Sequence, residues 1–567
     1  MSVEMMLAVV VAVVVIVVAN VIARKVGVAG PLLLVGIGVV IGFLPIVPAL
    51  SVPPELILVG VLPPLLYSAA VSAPAIEFRR DSTAIGGMAV LLVIVSAVVL
   101  GLFFAWAIPD LGLALGIALG AILSPTDAVA TSIIKKLGVP RRVLTVLEGE
   151  SLLNDATALV TLRTAIAATA TGFSMIGTLG SFVWAVLSAV IVGAVIGLVA
   201  LRVRAWTGSS TANTALGLTV PYFAYLPTEA LGGSGLVAAV VAGIVCGQGA
   251  MRWLTPEQRI SDKLNWRTIE FLLEGAVFLV MGLELYGITV NGRAEAVLLP
   301  GLGIAAGAFV LLVAVRAVYV FPMLNLHNVR VRRSVEKRIA MREGDHRPLS
   351  DRALQALGRA PRSGARGQIG RMRNDIDYFD SAPLTWKDSS VIVWAGMRGV
   401  VTLAAAQTLP VNTPERDLLV FVAFLVAAGS LLLQGLTLPV LVRLLRLSPD
   451  ASAANAGEGD TGLIAADLRA AAMTAIEERA VRRADASPFP EEAFEIPRSR
   501  FFDALEPSDD GVTPDALEFE LALVKLMRRR LRVLSASGQY STSAAQYMLD
   551  ELDAYEISLK LHLESDA

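Results

Sequence analysis

The chain has 567 residues, of which 55% are hydrophobic and only 17% charged, with a net charge of −2 and a mean hydropathy of +0.68. A soluble protein of this length would divide into several globular domains with far more surface charge, so that class is excluded. A single cysteine, Cys246, excludes a disulfide framework or a cysteine-ligated metal, and His327, His346 and His562 all lie in polar segments, which argues against a histidine metal cluster.

Apolar runs near twenty residues long recur along the chain, the length that spans a hydrocarbon core of ~30 Å. The expectation is an all-α polytopic membrane protein with about thirteen transmembrane helices, at 5–23, 29–46, 55–75, 84–108, 111–134, 143–171, 176–203, 210–229, 233–249, 267–288, 297–325, 388–410 and 416–445. The first run follows an acid, Glu4, and lacks the basic start and cleavage site of a secretory signal, so it reads as a retained span.

Basic residues at 24–25, 79–80, 135–142, 202–204, 252–267 and 330–387 fall on one side of this count. The alternate loops are short and hold only Arg293 and Arg416, each close to an acid. That asymmetry puts the N-terminus outside and the C-terminus in the cytoplasm. Residues 1–447 form the expected transmembrane domain, with an Arg-rich cytoplasmic loop at 326–387 that either lies solvated or rests against anionic lipid. After it, 448–567 read as a cytoplasmic tail: a linker rich in Ser, Ala, Gly and Asp, then helical stretches, with apolar and charged residues at helical spacing over 516–534.

An ionisable residue at mid-membrane costs ~2.5–3.5 kcal/mol on insertion scales, so each one invites a functional reading. Glu229, Glu270 and Glu284 lie near expected span ends and read as buried pairs or interfacial charges. The octet 148–155, EGESLLND, is different. Glu148, Ser151 and Asp155 fall at i, i+3 and i+7 on one helix face, and Glu150 and Asn154 at i, i+4 on the next. One helix therefore carries a polar stripe inside an apolar setting, which suits a wet, inward-facing site. The preceding span is interrupted by Ser124, Pro125, Thr126 and Asp127, where proline removes a backbone hydrogen bond and breaks the helix. A second interruption, 395–399 with Gly396, Arg398 and Gly399, opens the twelfth span. Two broken spans, one in each part of the chain, point to an inverted-repeat secondary transporter whose freed carbonyls coordinate a cation.

SPTDAVATSIIKKLG followed by LEGESLLNDATALV resembles the sodium/proton antiporters of the NhaP/NHE type, of the monovalent cation:proton antiporter-1 family. LPPLLYSAA in the third span and GMRGVVTLAAA in the twelfth are similar to that family as well, and the likeness covers about 5–445. The resemblance implies the antiporter fold with two discontinuous crossing helices. It implies exchange of Na+ for H+, or of Li+ or K+ for H+, electroneutral at one proton per cation, as expected of members with Asn-Asp. Asp155 would bind cation and proton in turn; Asp127, Thr126 and Ser151 would complete the Na+ site; Asn154 would orient Asp127 or its neighbours. Glu150 would pair with Arg316 as a structural ion pair. Expected partners are monovalent cations, protons, lipid and a second copy in a homodimer, with no cofactor, nucleic acid or enzymatic activity, in the cell membrane of a bacterium with a role in pH homeostasis. Several prokaryotic relatives carry an acid just after the LPPLL-type stretch, where this chain has Ser68 and Ala69, so no cation ligand is assigned from there.

The physics agrees with such a cycle. A hard cation wants several oxygens, and an apolar interior makes a carboxylate hold a proton more tightly, so the two compete. No phosphate-binding loop is present for ATP. A passive channel would leave the buried acids of the stripe unexplained, and the Gly-x-Gly-Asp string at 457–460, which an intramembrane aspartyl protease needs within a span, lies in the polar linker.

Overall fold

The structure is a computed structural model that describes residues 3–26, 29–44, 53–127, 129–171, 175–290, 294–344, 378–379, 383–410, 412–447, 451–483, 485–495 and 514–565. Its helices are α1 (Val3–Val26), α2 (Gly30–Gly42), α3 (Leu62–Ser72, preceded by a π-turn segment Leu56–Val61), α4 (Ala75–Arg80), α5 (Ser82–Gly86), α6 (Val93–Ala107, preceded by Gly87–Leu92) and α7 (Gly112–Leu123). They continue with α8 (Val129–Lys136), α9 (Arg141–Thr171), α10 (Met175–Thr207), α11 (Ser210–Ala230), α12 (Gly235–Trp253), α13 (Pro256–Val290) and α14 (Ala294–Gly344). The last are α15 (Trp386–Trp394), α16 (Val400–Gln407), α17 (Arg416–Leu444), α18 (Ala451–Glu477), α19 (Pro514–Ser537) and α20 (Thr542–Ser565). Among the described residues the only β pairing is an isolated bridge between Arg482 and Pro488.

Six of the described helices are long and apolar enough to cross a membrane: Met6–Val26, Ser82–Ala107, Gly180–Thr207, Gly235–Trp253, Leu298–Leu326 and Arg416–Leu444. The other expected spans are short, interrupted or polar, and the polar and interrupted ones carry the residues singled out above.

Apolar surface cannot drive helices together in lipid, so close backbone approach does much of that work, and glycine permits it. A Cβ on Gly120 of α7 would meet the Ala97 carbonyl of α6, and one on Gly116 the Gly101 carbonyl. Gly38 of α2 and Gly282 of α13 meet in the same way, as do Gly243 and Gly247 of α12 with the backbone of α3. One buried core runs through α2, α6, α7, α9 and α14 to α17. A second gathers α3 and α10 to α12, with Leu159 of α9 packed against both.

Two expectations of loop are corrected. The basic segment that begins at 326 is helical as far as Gly344, because Arg, Lys and Glu are good helix formers and α14 simply continues through them. The expected linker after Leu447 is likewise mostly helix, α18, despite Gly457, Gly459 and Gly462. Its later turns bury Ile464 and Leu468 against α19 and α20, and that burial outweighs the weak local propensity. Residues 345–377, the rest of the basic loop, lie outside the described residues.

α20 lies across the ends of the membrane helices. Asp553 accepts from Arg259 of α13 at 2.7 and 2.5 Å, Asp550 pairs with Lys263 at 2.5 Å, and Lys560 pairs with Glu257 at 2.8 Å. At its other end Thr542 donates its N–H to Glu77 of α4 at 2.8 Å, and Arg80 donates to the Gly538 carbonyl at 2.8 Å.

Candidate functional site

α7 stops at Leu123 because Pro125 cannot continue it, and α8 resumes at Val129. α15 stops at Trp394, and α16 resumes at Val400 after Gly399. The two gaps touch: the Asp127 N–H donates to the Met397 carbonyl at 2.7 Å. Four helix ends therefore meet in one place, each with unsatisfied backbone groups and a partial charge.

Charged side chains answer these ends with the complementary sign. Arg398, 2% exposed, donates from Nε to the Leu123 carbonyl at the end of α7 at 2.9 Å, and also bonds the Gly396 carbonyl. Its own N–H donates to Ser430 of α17 at 2.9 Å. Arg316 of α14 donates from Nε to the Ile392 carbonyl near the end of α15 at 3.1 Å. The anion sits at the opposite ends. Asp127 Oδ1 accepts from the Val129 N–H at the start of α8 at 3.3 Å, and its carboxylate lies so close to Gly399 that any Cβ there would overlap it.

The remaining forks of Arg316 hold Glu150, with Nη1 to Oε1 at 2.5 Å and Nη2 to Oε2 at 2.7 Å, both side chains almost fully buried. Glu150 also accepts from the Thr126 hydroxyl at 3.3 Å. Asn154 donates from Nδ2 to that hydroxyl at 2.7 Å and to the Thr126 carbonyl at 3.2 Å. Asn154 thus braces the extended stretch beside Asp127 through Thr126, and its Oδ1 stays buried without a hydrogen-bond partner. Gly396 is needed because a Cβ there would press on the Arg316 guanidinium.

Asp155 stands apart from this network. It is 7% exposed, Asp127 is the charged neighbour that acts on it, and among the described residues it makes no hydrogen bond or ion pair. Ser151, one turn earlier and half-buried, is equally uncommitted. A buried carboxylate with free oxygens, a free hydroxyl and the Asn154 amide oxygen beside it is a donor set that suits a small hard cation or a proton.

Glu270, expected as a buried pair or an interfacial charge, has Glu274 beside it, an acid to which the sequence assigns no role. The two stand one turn apart on α13. Glu274 is buried over most of its surface, with Glu270 and Asp127 as its charged neighbours, and Glu270 accepts from Ser68 of α3 at 3.1 Å. Their i, i+4 spacing in an apolar span was the available signal. Glu148 is half-buried with Lys135 and Glu270 as its charged neighbours. Glu229 pairs with Arg163 at 2.7 Å, and Glu284 accepts from Gln407 of α16 at 2.8 Å.

Comparison with known proteins places this architecture. The sequence profile described as the transmembrane sodium/hydrogen exchanger matches residues 9–444. An uncharacterized Na+/H+ exchanger of Escherichia coli strain K12, YjcE, is 29% identical over 555 residues, 93% of this chain and 94% of that protein. A sodium, potassium, lithium and rubidium/H+ antiporter of Bacillus pumilus is 33% identical over 292 residues, 50% of this chain and 44% of that protein. Among solved structures, the sodium proton antiporter MjNhaP1 of Methanocaldococcus jannaschii superposes with a TM-score of 0.56 at 17% identity, over 78% of this chain and 99% of that one. The profile spans both broken helices, the polar stripe and the arginine of α14, and the chain is therefore a multi-pass membrane protein that belongs to the transmembrane sodium/hydrogen exchanger family.

Proposed function

We propose that this protein exchanges Na+ for H+ across the cell membrane by alternating access, with cation and proton competing for Asp155. The observation that carries the reading is the contrast among buried acids. Glu150 is saturated by Arg316 and Thr126, and Asp127 is engaged at the helix ends, while Asp155 is buried with its oxygens uncommitted. A carboxylate without partners in an apolar setting binds whatever neutralises it, and both a proton and a monovalent cation do so. Ser151 and the Asn154 amide oxygen supply further oxygens, and Asp127 supplies a second negative charge. Because either occupant cancels the charge of Asp155, the loaded site crosses the apolar interior at lower cost than the empty one, which couples the two gradients one for one.

On this reading the chain crosses the membrane thirteen times with its C-terminus in the cytoplasm, the two interrupted helices cross at mid-membrane, and α18 to α20 form a cytoplasmic tail. A homodimer is the expected assembly. K+ exchange at the same site is the second reading, favoured by the Bacillus pumilus relative, whose name includes potassium, lithium and rubidium beside sodium.

The test is reconstitution into vesicles with a pH dye inside. Adding Na+, Li+ or K+ outside should alkalinise the wild-type vesicles, with no effect of clamping the membrane potential. Asp155→Asn should abolish the signal while the protein still inserts. An Asp155→Asn protein with full exchange would overturn the mechanism.

A further inference from the structure

Where α12 and α13 meet the C-terminal helices, arginines gather without enough acids to balance them. α19 carries Lys525, Arg529 and Arg532 at i, i+4 and i+7 on one face, with Arg528 on its flank. Arg528 is only 8% exposed and faces Asp553 at 3.0 Å and also Glu556, yet its Nε is buried without a hydrogen-bond partner, as is Nε of Arg532. Asp553 is shared with Arg259, and Glu556 with Lys560 at 3.0 Å. Among the described residues Arg529 and Arg532 make no ion pair.

Arg252 joins them from the end of α12. Its neighbour Met251 packs on the core of the C-terminal helices, and its guanidinium lies 5.3 Å from the centroid of the Trp253 ring, where Arg202 lies at 4.6 Å. Burial, and then the charges of Arg528, Arg529, Arg252 and Arg259, hold the Arg532 guanidinium below the ordinary arginine range. The buried Nε atoms of Arg528 and Arg532 lack an acceptor, which costs free energy, and the exposed Arg252 and Arg529 add like charge around them. Guanidinium forks match a tetrahedral oxyanion, which takes several of them at once. The level in the fold also fits, since an aromatic ring with basic neighbours at the end of an apolar helix marks a membrane boundary, and the adjacent Val533 is 61% exposed.

We propose that Arg252, Arg529 and Arg532, braced by Arg259 and Arg528, form a binding site for a phosphate-bearing anion, either the headgroup of an acidic lipid or a soluble phosphate. The inference does not depend on which cation the protein carries.

Full-length protein in an uncharged detergent is titrated separately with inorganic phosphate, short-chain phosphatidylglycerol and, as the control whose headgroup phosphate is already neutralised by its own ammonium, the zwitterionic short-chain phosphatidylcholine. Binding of phosphatidylglycerol alone assigns a lipid headgroup, and binding of phosphate as well assigns a site open to soluble anions. Either result supports the proposal when Arg529→Gln with Arg532→Gln weakens it about thirty-fold, the loss expected for two arginines beside an anionic ligand. Arg529→Lys with Arg532→Lys, which keeps the charge and loses the fork, should weaken binding less than the double glutamine variant does. Arg530→Gln, which removes a charge of α19 that is paired with Asp467 of α18, should leave it unchanged. No preference for either phosphate ligand over phosphatidylcholine overturns the proposal, as does an equal loss in Arg530→Gln or no loss in the double glutamine variant.

Discussion

Asp127 and Asp155 carry the same side chain, and their surroundings give them different work. Asp127 faces two helix starts and a glycine, so its charge steadies the broken helices. Asp155, itself buried, has no such partner among the described residues. Gly399→Ala would put a methyl group where the Asp127 carboxylate lies, and overpacking of that kind costs ~1–3 kcal/mol. Exchange in vesicles should fall by about tenfold even where the protein inserts normally. Arg316 supports a different point. Removing one member of a buried pair leaves an uncompensated charge at ~3–5 kcal/mol, so Arg316→Ala should lower the melting temperature in detergent sharply. Glu150→Gln combined with Arg316→Met should recover part of that loss, and a double variant as unstable as the single one would argue that Ile392 and Thr126 matter more than the pair. The stripe of polar residues on α9 was legible from spacing alone. That Glu150 and Asn154 both also bond Thr126 was not, because Thr126 lies in the break between α7 and α8.

At the scale of elements, the two breaks were visible in the chain because Pro125 and the Gly396, Gly399 pair act locally. What the breaks do depends on their meeting, through Asp127 N–H and the Met397 carbonyl, and on arginines from α14 and from the second gap that satisfy the orphan carbonyls. Helix continuation was misjudged at 326–344 and after 450, where charge and glycine content suggested loop. At 326–344 good helix formers carry α14 onward, and after 450 the burial of Ile464 and Leu468 outweighs weak propensity. Close packing of α6 on α7 predicts a pair of opposite results. Gly120→Ala should destabilise the protein by ~1–3 kcal/mol because its Cβ meets the Ala97 carbonyl. Gly36→Ala, on α2 with no atom within 4 Å of the added Cβ, should be neutral or gain up to ~1 kcal/mol from helix propensity. Thermal melts of the two variants in one detergent separate the effects.

For the whole molecule, the C-terminal helices are docked through charge as much as through apolar contact. Asp553 is 1% exposed and answers both Arg259 of α13 and Arg528 of α19. Asp553→Asn should leave Arg259 without its counter-charge and Arg528 with Glu556 alone, at a cost of about 3 kcal/mol, so hydrogen exchange across α20 should quicken about a hundredfold while α6 and α17 stay protected. Unchanged exchange in α20 would mean that the core of Leu531, Leu549 and Leu559 holds the helix by itself. The amino-acid sequence alone determined the membrane class, the two helix interruptions and the placing of acids on faces of α9, since hydropathy, proline geometry and helical period are local properties. Tertiary structure alone decided which carboxylate is left bare, that Arg398 closes the end of α7, and that α20 spans from α4 to α13. Those outcomes rest on pairings between residues far apart in the chain, and only the packing of the helices brings such partners within hydrogen-bond reach.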